Sequence, residues 1–255
     1  MFNNCRLPPL YHLFPVAATA DLMGEASRSA GAGADPLTVF CAERDDALDC
    51  AVILHPDIAL DKTRLIIYVA ALGLGDGLGA VVPAGLDVTY RWPNIVEANL
   101  GAAGRVSLAV AEGTRPNVVP DWLVLCAEAL IESGGGMKGW VAQTALRDEG
   151  DAETTTAILL ESFARHLLTW INRWQDDGFD PVRAMWLRHA PSHEEEVKIT
   201  TGGEVLSGKF HDIADDGAMM FGETAGKRQQ LPLIQGLTST EGALVRRWAT
   251  PGADS

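Results

Sequence analysis

Four consecutive residues, Arg91-Trp92-Pro93-Asn94, carry groups suited to recognising a small polar molecule. They place a guanidinium, an indole and a primary amide around one proline. Pro93 fixes its own φ and pushes Trp92 towards an extended conformation, so the indole takes a defined direction. The Asn94 amide both donates and accepts hydrogen bonds, which suits a polar ring or an acyl group. We therefore predict a recognition site at this motif.

Two apolar segments with alternating patterns place the motif at the edge of a sheet. Val88 and Tyr90 alternate before it, and Val106, Leu108 and Val110 alternate after it. Alternation of this kind is typical of a strand with one buried face. The motif is therefore predicted to end one strand and to precede another.

The patterning of the first two thirds of the chain predicts a mixed α and β structure. Strands are predicted at 36–42, 50–54, 86–90, 105–111 and 122–131, and helices at 21–29, 61–82 and 156–174. Asp61 is a plausible N-cap for the second helix. Trp170 and Trp174 recur at helical spacing in the third helix, which is typical of core residues more than of a ligand pocket.

The composition changes after Asp176-Asp177-Gly178, where short strands separated by turns replace the longer elements. Asp215-Asp216-Gly217 lies between two apolar runs, which is a strong hairpin signal. We predict one domain over residues 1–184 and a second, small β-barrel domain over 185–255. A final helix is predicted at 240–248.

Composition restricts the class of protein and its partners. The chain has 255 residues, 47% of them apolar and 21% charged, so it should fold around a real core. A formal net charge of −14 argues against nucleic acid and anionic membranes as partners. The longest apolar stretch, residues 65–74, is too short to span a bilayer.

Cysteine usage predicts a cytoplasmic location. The four cysteines form no C-x-x-C pair, so reduced and buried thiols are expected. Prolines interrupt the apolar N-terminal segment, which argues against a secretory signal. A disulfide between Cys41 and Cys50 across a hairpin stays open as an alternative.

Three segments resemble the biotin/lipoate protein ligase family. Arg91-Trp92-Pro93-Asn94 is similar to the family's Lys-Trp-Pro-Asn-Asp, and a glycine-containing turn, residues 99–104, leads into an apolar strand as in the family. The tail, residues 196–218, resembles the small barrel that closes biotin ligases, with Trp186 in its lead-in. The resemblance runs from about residue 9 to residue 236.

The resemblance implies a fold, a site and partners. The implied fold is α+β, a mixed β-sheet flanked by helices as in class II aminoacyl-tRNA synthetases and biotin ligases, followed by a small Src-homology-3-like β-barrel. Family members activate biotin, lipoate or a related acid with ATP and transfer it to a lysine of a carrier domain. Ligases of this type often form homodimers. The ligand-binding positions are Arg91, Trp92, Asn94, Gly101 and Gly104.

Three departures from the family pattern remove charges that adenylation needs. The connector between the first two strands, residues 43–49, holds one arginine and four acids where biotin ligases have a loop rich in glycine and arginine. Such a connector would repel a phosphate. The family's lysine after the motif is missing, and Arg105 is the only nearby cation that could take a catalytic role. Ile95 stands where the family has an aspartate.

Other candidate sites have simpler explanations. The glycine-rich segment 73–79 does not fit G-x-G-x-x-G, and close packing or a helix end explains it better. His189 and His193 flank Pro191 in a linker-like segment, so no metal site is predicted. Cys50 and Cys126 could act as acyl-transfer nucleophiles only with a nearby base or cation, and the sequence supplies none.

The sequence therefore supports two functional hypotheses. The first is a ligase-like protein that binds a biotin-, lipoate- or acyl-type small molecule but has lost or altered adenylation. The alternative is an active ligase or acyltransferase in which Arg44, Arg91 and Arg105 substitute for the missing groups. No cofactor is certain, and biotin, lipoate or ATP would be the candidates by resemblance.

Overall fold

The computed structural model describes residues 2–82, 85–133, 143–190, 196–201, 204–222, 228–234 and 245–248. The first half of the chain contains β1 (His12–Ala17), α1 (Leu22–Gly31), β2 (Thr38–Glu43), β3 (Ala47–Leu54), α2 (Leu60–Thr63), α3 (Ile66–Val81), β4 (Val88–Arg91), β5 (Ile95–Ala98), β6 (Gly101–Ala111) and β7 (Leu123–Leu130). The second half contains α4 (Thr156–Asp177), α5 (Phe179–Arg188), β8 (Glu196–Thr201), β9 (Glu204–Ile213), β10 (Met219–Gly222), β11 (Arg228–Leu231) and β12 (Val245–Trp248).

A mixed sheet organises the larger part of the molecule. Its strand order is β1-β2-β3-β7-β6-β5-β4, and β12 pairs with β6. The β1–β2 and β12–β6 pairs are parallel, and the other pairs are antiparallel. The predicted mixed sheet flanked by helices is therefore confirmed. The sequence patterns had not separated β5 from its neighbours, because it is only four residues long.

Helix α1 covers part of one face of this sheet. The Asp21 side chain accepts a hydrogen bond from the Gly24 N–H and caps the helix. Leu22 and Ala26 then pack with strand residues such as Ile53 and Val124. This face is called the α1 face below.

Helices α3 and α4 cover the opposite face. By length and composition alone, residues Leu60–Val81 could cross a membrane, but 72% of that apolar window is buried inside the protein. The predicted helix at 61–82 is divided into α2 and α3 around Arg64 and Leu65. The predicted N-cap is wrong, because Ala59 precedes the first helical residue and Asp61 lies inside the first turn.

The glycines of α3 allow α4 to approach closely. A Cβ on Gly73 would lie 2.9 Å from Leu167 Cα, and one on Gly77 would lie 3.1 Å from Phe163 Cα. Distances this short leave no room for a side chain. The glycine-rich segment is therefore explained by helix packing rather than by phosphate binding.

A four-stranded antiparallel sheet, with the order β11-β10-β9-β8, forms the C-terminal part of the described chain. The predicted turn is confirmed, since Gly217 adopts φ +80° between β9 and β10. Phe210 of this sheet packs on Trp186 of α5, with ring centroids 6.1 Å apart. The closure of this sheet into a Src-homology-3-like barrel stays a prediction.

The predicted domain boundary and the predicted final helix both concern the C-terminal part of the chain. The domain boundary at residue 184 stays a prediction, and α5 runs through that position as one helix. The final helix is wrong for residues 245–248, which form β12 beside β6. The rest of that predicted helix, 240–244, lies outside the described residues.

The predicted reduced thiols agree with the structure. Cys41 and Cys50 lie directly opposite each other on β2 and β3, as the hairpin pattern suggested. Both are buried, and all four cysteines are free thiols. The alternative of a Cys41–Cys50 disulfide is therefore absent from this structure.

Candidate functional site

Trp92 is held by partners inside the protein. It is 8% exposed. Its Nε1 donates to the Tyr68 hydroxyl at 2.7 Å and lies 3.4 Å from the Gly217 carbonyl oxygen. The Tyr68 hydroxyl in turn donates to that same carbonyl at 2.6 Å. The indole therefore joins α3 to the C-terminal sheet.

Asn94 is fully buried beside β6. Its Nδ2 donates to the Val106 carbonyl at 2.6 Å, and its own backbone carbonyl accepts from the Val106 N–H at 3.1 Å. Its Oδ1 has no hydrogen-bond partner among the described residues. The amide thus fixes the turn between β4 and β5 to the neighbouring strand.

The two predicted glycine positions also face internal neighbours. A Cβ on Gly101 would lie 2.7 Å from Thr144 Cβ. A Cβ on Gly104 would lie 3.0 Å from both the Glu128 carbonyl oxygen and a Leu74 methyl group. The role of Trp92, Asn94, Gly101 and Gly104 in ligand binding stays a prediction, and their described contacts are structural.

Replacing Trp92 by phenylalanine distinguishes a role of the indole in ligand binding from a purely structural role. Loss of the indole donor should lower the free energy of unfolding by about 1–2 kcal/mol, because the Tyr68–Gly217 pair loses a buried partner. If the contacts are structural only, ligand affinity stays within about twofold at temperatures where the variant is folded. Urea unfolding and calorimetric titration of the same variant measure both quantities, and a tenfold loss of affinity would assign the indole to the ligand.

The connector between β2 and β3 is a tight turn of residues 44–46. The Arg44 guanidinium donates to both Asp46 carboxylate oxygens, at 2.6 and 2.7 Å. This ion pair raises the pKa of Arg44 and lowers the pKa of Asp46, in each case chiefly through the hydrogen bond between them. The connector is thus a short turn, and the loss of the family's glycine- and arginine-rich loop at this position stays a prediction.

A row of charged side chains crosses the α1 face in register. Arg91 pairs with Ile95, Ile95 with Arg105, Arg105 with Glu128, and Glu128 with Asp49, on five neighbouring strands. Directly paired residues of antiparallel strands project to the same side. We call Arg91, Arg105, Glu128 and Asp49 the polar row.

Each arginine of the polar row has a carboxylate partner. Arg105 Nε donates to Glu128 Oε2 at 2.8 Å, with both side chains about one quarter exposed. Arg91 donates to Glu97, whose carboxylate is nearly buried and also accepts from the Thr89 hydroxyl at 3.2 Å. Because both positive charges are met by negative ones, the row offers little net attraction to a phosphate.

Asp49 is the unusual acid of the polar row. Burial raises its pKa to about 6, with a further contribution from the neighbouring Glu128 carboxylate, and Arg44 and Arg105 oppose that rise. Two carboxyl groups directly across a strand pair repel each other when both are ionised. Asp49 is therefore partly protonated near neutral pH.

The two cysteines considered as acyl-transfer nucleophiles, Cys126 on this face and Cys50 on the opposite face, have poorly reactive thiols. Burial raises the pKa of Cys126 well above its ordinary value, and the Glu128 and Asp49 carboxylates raise it further. Burial has the same effect on Cys50. A thiolate forms where a cation or base lowers the pKa, and the surroundings of these thiols do the opposite. The cysteine-transfer route gains no support.

Sequence patterns missed the acids of the polar row. Asp49 had been grouped with the acidic connector, but it lies inside β3. Glu128 had been passed over as a single charge in an apolar strand, and Glu97 lies in β5, which the patterns had not predicted. A carboxylate at a strand position that should be buried was the available signal, since such groups need a partner.

No group of three or more metal-ligating side chains occurs within the part of the chain that the structure describes. His189 Nδ1 lies 3.1 Å from the Val88 carbonyl oxygen, and His193 lies outside the described residues. Arg91 and Arg105 are the predicted cations for a nucleotide, and both are engaged by carboxylates.

Comparison with known protein families assigns the chain to one of them. The model of the biotin/lipoate A/B protein ligase family matches residues 7–188. That match covers most of the chain, including the polar row. The chain belongs to the biotin/lipoate A/B protein ligase family. The predicted family resemblance is thereby confirmed, although the C-terminal sheet lies outside the matched residues.

Two curated relatives show how far this family member has diverged. It is 28% identical over 190 residues to the biotin–[acetyl-CoA-carboxylase] ligase of Paracoccus denitrificans, covering 72% of this chain and 77% of the relative. It is 21% identical over 204 residues to the bifunctional ligase/repressor BirA of Bacillus subtilis, covering 74% of this chain. The aligned part is 57% of BirA, so the chain spans little more than half of that relative.

Solved structures share the fold along most of their length. A biotin protein ligase-like protein of unknown function from Silicibacter sp. TM1040 superposes with a TM-score of 0.79 at 29% identity, covering 90% of this chain and 97% of that one. The biotin protein ligase of Aquifex aeolicus superposes with a TM-score of 0.70 at 14% identity, covering 87% and 95%. At that lower identity the likeness concerns the fold alone.

Proposed function

We propose that this ligase-family member binds a biotin-, lipoate- or acyl-type small molecule at the polar row and does not adenylate it. One observation carries the proposal. The arginines of the row, Arg91 and Arg105, and Arg44 of the adjacent turn are each bound to a carboxylate. Transition-state stabilisation of phosphate chemistry requires preorganised donors that face the developing charge, and these donors face acids instead.

The shape of the β2–β3 turn supports the same proposal. A three-residue turn offers few backbone N–H groups that could surround a triphosphate, and its two side-chain acids, Asp45 and Asp46, repel one. Each missing donor typically costs about 3–4 kcal/mol of transition-state stabilisation. Two such losses would lower the adenylation rate by about four to six orders of magnitude.

The acids of the row indicate which chemical form of the ligand binds. The Glu128 carboxylate pairs with Arg105 and lies across the strand pair from Asp49, which, with a pKa raised to about 6 by burial and by Glu128, is mostly ionised at pH 8. A free carboxylate close to these groups is repelled, whereas the amide of the same acid is not. We therefore expect the carboxamide, which resembles the group after attachment to a carrier lysine, to bind at least as well as the free acid at pH 8.

The second candidate function is an active ligase that uses substitute residues. The 28% identity to the Paracoccus denitrificans biotin–[acetyl-CoA-carboxylase] ligase favours it. In this account Arg44, Arg91 and Arg105 would leave their carboxylates when ATP binds, and a carrier-domain protein would be the second substrate. A cytoplasmic location suits both candidates.

Ligand-dependent thermal stability tests the binding half of the proposal. Biotin, lipoate, octanoate and their carboxamides are each added at pH 8 and at pH 5.5. A ligand present at one hundred times its Kd should raise the Tm by roughly 5–10 °C. If none of the six compounds raises the Tm, the proposed binding function fails.

Glu128→Gln provides the matched variant for this experiment. Removing that charge should strengthen binding of the free acid about tenfold and leave the carboxamide within about twofold, because only the acid is repelled. Glu153→Gln, at an exposed position outside the polar row, serves as the control and should change neither affinity. Equal effects of Glu128→Gln on acid and amide would place the ligand away from the row.

A further inference from the structure

A cavity lies at the opposite end of β3 from the polar row. Its volume is ≈ 810 Å³, within the range of small-molecule sites. Leu54 at the end of β3 contributes to its wall, five residues beyond Asp49. At about 3.4 Å per residue the two places are roughly 17 Å apart along the strand. The cavity is therefore separate from the proposed family site.

The floor of this cavity is apolar. Leu65 and Ile66 are buried at the start of α3, and Ile171 and Trp174 are partly buried near the end of α4. Phe179 closes the same wall from α5. The helical spacing of Trp174 had predicted a core residue, and the structure places it in the wall of this cavity. Aliphatic side chains with one indole and one phenyl ring suit a ligand with a hydrophobic body.

The rim of the cavity carries charges of both signs. Lys62, His55 and Asp57 are exposed there, beside the Asn172 and Gln175 amides of α4. Within the described part of the chain, neither the Lys62 ammonium nor the Asp57 carboxylate forms an ion pair or hydrogen bond. The two groups also do not pair with each other, although they lie only five positions apart in the sequence.

The other acid of the rim, Asp215, is already paired with an arginine. Asp215 Oδ1 lies 3.1 Å from Arg183 Nη1, and the same guanidinium holds Asp212 at 2.8 Å. Lys62 and Asp57 are therefore the pair of oppositely charged side chains left to meet a ligand, with the His55 imidazole also at the rim. One cation and one anion above an apolar floor complement a molecule that has both an ammonium and a carboxylate.

The backbone beside the cavity is held in an unusual conformation. Leu37, which lines the cavity, has φ +62°. Side chains with a Cβ rarely adopt this left-handed region. Two backbone hydrogen bonds maintain it, from Leu37 N–H to Ile53 and from His12 N–H to Leu37, at 2.8 and 3.1 Å. Strained residues of this kind concentrate at ligand sites.

We infer that this cavity is a binding site for a hydrophobic zwitterion of the size of a dipeptide, with its carboxylate at Lys62 and its ammonium at Asp57. The apolar side chains of the ligand lie against Ile171 and Trp174. The site requires neither ATP nor the polar row, so it goes beyond the proposed function.

Blocked peptides test both ends of the assignment. Leu-Leu with free termini, its N-acetyl form and its C-terminal amide are titrated into the full chain, followed by calorimetry. Each block should weaken binding about three- to tenfold, because one partly exposed ion pair is lost. If both blocked peptides bind as tightly as the free one, or if Leu-Leu does not bind at millimolar concentration, the inference is wrong.

Two variants assign each end to its partner. Lys62→Gln should weaken the free peptide and leave the amide unchanged, and Asp57→Asn should weaken the free peptide and leave the acetylated form unchanged. Arg28→Gln removes an exposed cation on α1, away from the cavity, and should alter none of the affinities. Equal weakening of all three peptides by Lys62→Gln would overturn the assignment of the carboxylate end.

Discussion

Gly73→Ala should lower the free energy of unfolding by about 1–2 kcal/mol. The new methyl group would lie 2.9 Å from Leu167 Cα and 3.0 Å from Leu167 N, so α3 and α4 must move apart. Overpacking of this kind costs about 1–3 kcal/mol, and the better helix propensity of alanine returns up to about 1 kcal/mol. Urea unfolding monitored by tryptophan fluorescence measures the change.

Gly79→Ala is the matched control for this prediction. It lies in the same helix at an exposed position, where a Cβ meets nothing within 4 Å. Without a clash, alanine should stabilise the protein by about 0.5–1 kcal/mol. The two substitutions are chemically identical, so opposite signs would establish helix packing as the reason for Gly73. A loss of stability in both variants would contradict this explanation.

Asp49→Asn should stabilise the protein at high pH and not at low pH. The folded-state pKa of about 6 is above the ordinary aspartate value of about 3.9, so the folded state binds the proton more tightly. The stability from this proton is present below pH ~4 and is lost as the pH rises through ~6. Asparagine mimics the protonated form, so the variant should gain up to about 2 kcal/mol at pH 8 and nothing at pH 4.

Asp46→Asn should have the opposite effect on stability, because the pKa of Asp46 is lowered whereas that of Asp49 is raised. Its hydrogen bond from Arg44 lowers the pKa of Asp46, so its stabilising effect is present at neutral pH and lost as the pH falls below ~4. With about a third of the side chain exposed, we expect a loss of only about 0.5 kcal/mol at pH 7. Unfolding curves at several pH values would distinguish the two acids. A gain for Asp49→Asn that is independent of pH would mean that burial and the Glu128 carboxylate do not raise the pKa of Asp49.

Much of the fold was predictable because periodicity reports burial. The predicted helix at 156–174 corresponds to α4, and the predicted strand at 122–131 corresponds to β7. Both elements have a long and regular apolar pattern. Strand β5 and helix α5 were missed, because β5 is short and buried throughout and α5 follows α4 after one glycine.

The site was less predictable because its members come from separate strands. The proximity of Arg105 to Glu128, and of Glu128 to Asp49, follows from the register of β6, β7 and β3. Local sequence does not determine which strands are neighbours in a mixed sheet. The motif at 91–94 was visible as sequence, but the burial of Trp92 depends on Tyr68 and Gly217, which are distant along the chain.

The polar row bears on the predicted absence of the family's lysine and glycine-rich loop. Loss of cations alone could be offset by other arginines nearby. Here the nearby arginines are bound to carboxylates, Arg105 to Glu128 and Arg91 to Glu97, in each case on the neighbouring strand. If a small molecule binds at this row, as proposed, we expect hydrogen bonds and shape to hold it and little stabilisation of a developing phosphate charge.

Pyrophosphate exchange into ATP, dependent on biotin, lipoate or octanoate, tests the central proposal most directly. The exchange reports adenylate formation regardless of the carrier protein, and the Paracoccus denitrificans ligase serves as the positive reaction. We expect acid-dependent exchange at least about 10⁴-fold slower than that of the ligase, with carboxamide binding retained in the same preparation. Acid-dependent exchange within tenfold of the ligase rate would contradict the proposal and establish the chain as an active enzyme.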